Sequence, residues 1–325
     1  MKLWHIAILS ALLAVAAGVV RAYPPVPRGE MRQYVPAARA ASEATLLFTG
    51  DIMLSRSVGA KMAALDDWQW PFTAIASTTR SADLAFGNLE TTISKRGSAN
   101  GCGYCFRADP RVVEGLSWAG FDVLSVANNH IGDYGPDAFV DTLQYLAASD
   151  ISVAGGGRDL SEARAPIVRT VGNTRVAYLA YTNLLPASVC ATDTKAGANC
   201  FDNERMRADI ARAREAADVV AVSFHTGTEY EPQHNAFQER VYRAAIDAGA
   251  NLVVGHHPHV VQDMEQYRAG WIIYSLGNFV FDQTFSEATV RGSMLEATVR
   301  DGAIRSVELV PVMLSRDYRV SPILR

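Results

Sequence analysis

From Thr45 to about Val280 the chain repeats one pattern: a short apolar run, a polar cluster, then a stretch with helical spacing. "TLLFTG", "ADLAFGN", "FDVLSVANN", "DVVAVSFH" and "NLVVGHH" are the apolar runs, each short enough for a buried strand and each ending in polar residues. Between them, "GPDAFVDTLQYLAAS", "NERMRADIARAREAA" and "QHNAFQERVYRAAIDAG" set apolar residues three and four apart, the period of an amphipathic helix. Buried strands alternating with one-faced helices predict an α/β domain. Two hairpins break the alternation and make the sheets mixed. "PIVRTVGNTRVAYLAY" turns at Gly172-Asn173 and "LEATVRDGAIRSVELVPV" at Asp301-Gly302.

The ends of the chain carry a different message. "MKLWHIAILSALLAVAAGVVRA" places Lys2 ahead of an apolar stretch from Ile6 to Val20. As a helix that stretch rises about 22 Å, short of a hydrocarbon core of about 30 Å. Residues 1–22 therefore read as a secretory signal peptide or, if uncleaved, a membrane anchor through residues 3–22. The Pro- and Ala-rich residues 23–42 read as a linker, and residues 43–325 as the folded domain. Export to the periplasmic or extracellular face suits the four cysteines. An even count in an oxidising compartment favours disulfides, and local pairing of Cys102 with Cys105 and of Cys190 with Cys200 is the simplest of three connectivities. The formal net charge of −4 lacks the basic excess of a general nucleic-acid binder, so no nucleic-acid partner is expected.

Side chains with chemistry gather at one kind of place, the C-terminal ends of the apolar runs, where open α/β sheets put their ligand sites. Asp51 follows the first run, Glu90 the second, and Asn128, Asn129 and His130 the third. His225 ends the fourth, and His256, His257 and His259 follow the fifth. Taken singly, each has a plain structural explanation: a helix cap, an Asx turn, or a polar residue satisfied at a strand end. Together, carboxylate, amide and imidazole from five strand ends make a metal-site inventory, suited to Mn, Fe or Zn.

The ordered series "FTGDIMLSR", "GNLETTIS", "SVANNHIGDYG", "SFHTGTEY", "GHHPHVVQ" and "YSLGNFVFD" resembles the CapA family of bacterial capsule and poly-γ-glutamate synthesis over about residues 45–283. That family is similar to the calcineurin-like metallophosphoesterases, whose fold is a four-layer αββα sandwich with mixed sheets. The resemblance implies one or two divalent ions held by Asp51, Glu90, Asn129, His225, His257 and His259. It implies His130 as the proton donor to a leaving group, and Glu229, four residues after His225, as a base or an orienting group. Arg56, Asn128 and Asn278 are expected to meet substrate. Met53 stands where the metallophosphoesterase pattern has its first histidine, and a thioether is a poor ligand for a hard cation.

The implied function is an exported metal-dependent hydrolase or transferase acting on an anionic envelope polymer such as poly-γ-glutamate. A non-catalytic assembly or export component, working with membrane capsule-synthesis proteins, is the alternative, and a plain metallophosphatase the third. The glycine run in "AGGGRDL" has no Lys-Ser/Thr partner and reads as a strand-to-helix turn rather than a phosphate loop. Of Trp68 and Trp70, at least one is expected in the core.

Overall fold

Odd and even residues of the central strands serve different cores, and that alternation builds the layers. Strand β1 (Glu43–Ile52) turns Leu46 and Phe48 into one apolar cluster and Leu47 into another. In a computed structural model of the chain, which describes residues 43–323, β1 lies inside an eight-stranded sheet. Its neighbour β2 (Leu84–Leu89) runs parallel, followed by β3 (Val123–Ser125) and β4 (Ser152–Ala154), also parallel. The expected export segment, residues 1–22, and the linker, residues 23–42, lie outside the described residues. Among the described residues no helix is long and apolar enough to cross a membrane.

A six-stranded sheet faces the first. It comprises β5 (Ile167–Val171), β6 (Thr174–Thr182), β7 (Val219–His225), β8 (Leu252–His256), β9 (Met264–Tyr267) and β10 (Gly270–Ile273), in the order β9-β10-β8-β7-β6-β5. Val176, Tyr178, Ala221 and Val254 meet Leu46, Phe48, Phe86 and Val123 in the core between the sheets. The alternate residues Leu179, Val220 and Val222 face outward, against helices α3 (Asn203–Ala216) and α4 (Ala236–Ala248). On the far side of the first sheet, Val58 and Met62 of α1 (Arg56–Leu65) and Phe139 and Leu146 of α2 (Pro136–Ala148) cover Leu47 and Leu124. The result is the four-layer αββα sandwich expected.

Both hairpins form where the turn residues predict. Gly172 takes a positive φ between the paired Val171 and Thr174. Asp301 and Gly302 both take positive φ between Arg300 and Ala303, the conformation a tight two-residue turn requires. The second hairpin joins β12 (Arg291–Arg300) to β13 (Ala303–Leu314), and β12 pairs antiparallel with β1. Beside it, β11 (Asn278–Val280) pairs parallel with the end of β1, where Asp51 lies opposite Asn278. A Cβ at Gly50 would stand 2.0 Å from the Gly277 carbonyl, so this close approach depends on glycine. Trp68 is buried in the outer core, and Trp70 packs beside it with its indole donating to the Asp317 carbonyl at 2.8 Å. Cys102 is bonded to Cys105 and Cys190 to Cys200. The glycine run leads into the short helix Leu160–Ala163, capped by Asp159.

Candidate metal centre

The two sheets meet most intimately at the C-terminal ends of their parallel strands. His256, the last residue of β8, accepts from Ser223 Oγ at 3.2 Å and donates through Nε2 to the Thr49 carbonyl of β1 at 3.1 Å. Both ring nitrogens are thus used to join the sheets, which makes His256 a structural rivet. The site lies one residue beyond it.

Asp51, fully buried, accepts from the Asn88 amide at 2.8 Å and from the His257 backbone N–H at 3.2 Å. Asn88 lies opposite Asp51 in the β1–β2 register and also faces His225 Nδ1 at 3.1 Å. His225 Nε2 lies 2.7 Å from Asn129 Oδ1. Asp51 and His259 come together too, with His259 Nδ1 3.3 Å from Asp51 Oδ2 and 3.0 Å from Asn278 Oδ1. A proton on Nδ1 satisfies both oxygens and leaves Nε2 with a free lone pair, 3.8 Å from Glu90. Burial pushes Asp51 upward, but the hydrogen bond from His259, electrostatic interaction with His256 and His259 and the hydrogen bond from Asn88 outweigh it, and its pKa falls below the ordinary range.

Glu90 differs from every other carboxylate here. It is fully buried, yet neither of its side-chain oxygens has a hydrogen-bond partner. Burial, then the negative charges of Asp51, Glu229 and Asp133, push its pKa well above the ordinary value. Unpartnered buried carboxylates are costly, and a cation is the natural partner for one. His257 Nδ1 is likewise buried without a partner. Burial and the neighbouring His259 hold the His257 pKa down to about 3, and burial with His257, His256 and His259 holds His225 well below its ordinary value. Both imidazoles are therefore neutral, the form that ligates metal. Three-residue ligand groups form at Asp51–Glu90–His259 and at Glu229–His257–His259, each with its ligand atoms within 4.8 Å of one another. On orphaned donors and neutral imidazoles, the residues fit a divalent cation.

Local backbone chemistry holds this arrangement. His257 and His259, on either side of Pro258, take positive φ values of 97° and 59°. For non-glycine residues that conformation is unfavourable and is kept only where surrounding structure enforces it. Here the enforcement comes from the His257 N–H to Asp51 bond and from Tyr230 N–H, which donates to the Pro258 carbonyl at 2.8 Å.

His130 stands at the edge of the cluster, its Nε2 3.8 Å from Glu90. Its Nδ1 lies 2.8 Å from Asp133 and its ring stacks on Phe106 at 3.8 Å. Arg56 pairs with Asp282 at 2.6 Å and lines a cleft of about 230 Å³ together with His130, Glu229, His259, Tyr230 and Phe285.

Two expectations change. Asn128 and Asn278 were expected at the substrate, but both are buried with their amides engaged in the protein. Asn128 donates to the Leu89 carbonyl at 2.8 Å and accepts from His130 N–H at 3.1 Å. Asn278 accepts from His259 and donates to the Thr289 carbonyl at 3.0 Å. They orient functional side chains rather than reach into the cleft. Two residues were missed. Asn88 reads in "LAFGN" as strand interior, and only its register beside Asp51 betrays it. Asp133 carried a usable signal, an acid three residues after His130 in the same polar turn.

Fold and site together define a class: a four-layer αββα sandwich with carboxylate, amide and imidazole donors where its facing strand ends meet. The family follows from sequence comparison. A family model described as bacterial capsule synthesis protein PGA_cap matches residues 45–283, and the chain belongs to that family. Capsule biosynthesis protein CapA of Bacillus anthracis is 31% identical over 276 residues, covering 82% of this chain and 67% of its own. PGA biosynthesis protein CapA of Bacillus subtilis (strain 168) is 32% identical over 268 residues, covering 82% and 70%. Among solved structures, a hypothetical protein from Thermus thermophilus is a loose likeness, with TM-score 0.49 and 16% identity over 82% of this chain and 98% of its own.

Proposed function

We propose that this capsule-family protein is an exported metal-dependent hydrolase or transferase acting on an anionic envelope polymer of the poly-γ-glutamate type. One observation carries the reading: Glu90, a buried carboxylate without a hydrogen-bond partner, among the imidazoles of His130 and His259 and the carboxylate of Asp51. Asp51, Glu90, Asn129, His225, His257 and His259 would hold metal. A bound divalent ion supplies Lewis acidity and an activated water near neutral pH.

The protein's own residues do the rest. The cleft is smaller than the ~300–1,000 Å³ of ordinary small-molecule sites, so it takes the reacting unit of a polymer while the flanking chain lies outside. Among the described residues that line the cleft, Arg56 alone has a permanent positive charge, and Asp282 already balances it. An anionic unit therefore needs the cation for its charge as well as for its chemistry. Phe106 and Asp133 hold the His130 ring so that Nε2 faces the cleft, from which it passes a proton to the leaving group.

The experiment is to incubate the Mn²⁺-loaded protein with poly-γ-glutamate and, separately, with a generic phosphomonoester. Release of glutamate oligomers without phosphate supports the proposal. Phosphate release alone favours a metallophosphatase. A loaded protein that binds the polymer but cleaves or transfers nothing favours the assembly role, for which Met53 in a ligand position argues.

A further inference from the structure

Met53 leaves the first sheet one donor short, and the structure shows where its side chain goes. It is fully buried in the outer core, and its sulfur accepts from the Ser55 N–H at 3.2 Å and the Ser55 hydroxyl at 3.1 Å. The opposite sheet offers an extra donor. Glu229 lies in the loop after β7, with its carboxylate and ligand nitrogens of His257 and His259 all within 4.8 Å of one another. His259 belongs also to the Asp51–Glu90–His259 group, so the two ligand triads share an imidazole. His257 is almost fully buried with an unpartnered Nδ1, and Glu90 has two unpartnered oxygens. The loop is fastened at the next residue, where Tyr230 N–H donates to the Pro258 carbonyl between the two histidines.

We infer that Glu229 is a metal ligand, a carboxylate brought from the second sheet to the cation at His259 in place of the histidine missing at Met53. The inference rests on the metal-centre reading above and gives Glu229 a different task from the base or orienting group expected of it. It also makes the centre chemically uneven. Asp51 and Glu90 with His259 form an oxygen-rich position suited to Mn²⁺, whereas Glu229 adds a carboxylate to the imidazoles of His257 and His259, a position that without it would suit Zn²⁺ equally.

The test uses the full chain, stripped of metal and titrated with Mn²⁺, with free ion followed by electron paramagnetic resonance and bound ion by elemental analysis. Wild type, Glu229→Gln and His130→Ala are compared. Glu229 is exposed, so its substitution is expected to leave the melting temperature of the metal-free protein unchanged. Glu229→Gln is expected to weaken Mn²⁺ binding at least tenfold and to shift the preference toward Zn²⁺, while His130→Ala binds as wild type. Wild-type Mn²⁺ affinity in Glu229→Gln, with turnover lost, would overturn the inference and return Glu229 to the role of base. A wild type that binds no Mn²⁺ overturns the metal-centre reading itself, a result distinguishable because it needs no variant.

Discussion

The two rims that face each other across the centre solve the same problem with opposite chemistry. The first sheet sends carboxylates and amides, Asp51, Asn88, Glu90 and Asn129, most of them locked by side-chain bonds made before any ligand arrives. The second sends imidazoles, His225, His257 and His259, two of them set by a strained turn at Pro258. Burial acts on both, but with opposite sign: it pushes Glu90 toward its protonated form and His225 and His257 toward their deprotonated forms. Either way the uncharged form is favoured. Only a cation reverses the penalty at Glu90 while accepting the imidazoles as they are. The metal-free protein is most at odds with itself on the acid rim, where both Glu90 oxygens are unpartnered, and less so at His257, where one ring nitrogen is.

The largest expected effect comes from Glu90→Gln. It should weaken Mn²⁺ binding by more than the ~10–100-fold typical of residues that only orient a ligand. In the metal-free protein the same variant should melt at a higher temperature than wild type, because a neutral amide avoids the cost of protonating a carboxylate on burial. Calorimetry with and without Mn²⁺ reads both. A variant that melts lower without metal would break the contrast between the rims. Next is His130→Ala, expected to slow turnover by about 10²–10⁴-fold with Mn²⁺ content unchanged, the mark of a proton donor that does not ligate. Loss of metal along with activity would move His130 into the ligand set.

Asn278→Ala should be milder, about 10-fold or more in metal affinity, because it frees the His259 ring rather than removing a donor. Unaltered Mn²⁺ affinity would show that the ring is held in place by packing alone. The smallest effect is in pH dependence, read on metal-free protein by thermal melting. The folded pKa of His257 is about 3 against about 6.5 unfolded, so its contribution to stability is present above about pH 6.5 and is lost as the pH falls toward 3. The folded pKa of Glu90 is raised, so its contribution is present below its unfolded pKa and is lost as the pH rises through the folded one. His257→Ala should flatten the acid limb and Glu90→Gln the alkaline limb. If either variant flattened both limbs, the rims would be titrating as one unit.

Much of this is legible in the sequence alone. Strand ends are readable because an apolar run followed by a polar cluster has few other meanings, and Asp51, Glu90, His225, His257 and His259 all lie at such ends. The hairpins were legible from their turn residues, and the disulfides from the shortest pairings. What stayed hidden depends on distance across the fold. Asn88 looks like strand filling until β1 and β2 are in register. Asn128 and Asn278 look available until their amides are seen bonded to Leu89, Thr289 and His259. Glu229 lies near its histidine in sequence, but its closeness to His257 and His259 comes from the Tyr230–Pro258 bond, which no spacing predicts. Met53 could be recognised as a departure from the family pattern, yet its capture by Ser55 could not.

The central claim is that these rims form a metal centre, and metal analysis tests it most directly. Purified wild type and His257→Ala should be supplied with Mn, Fe and Zn, dialysed and measured for bound metal. The structure predicts one or two ions retained by wild type and fewer by the variant. Wild type holding no more metal than His257→Ala would contradict it.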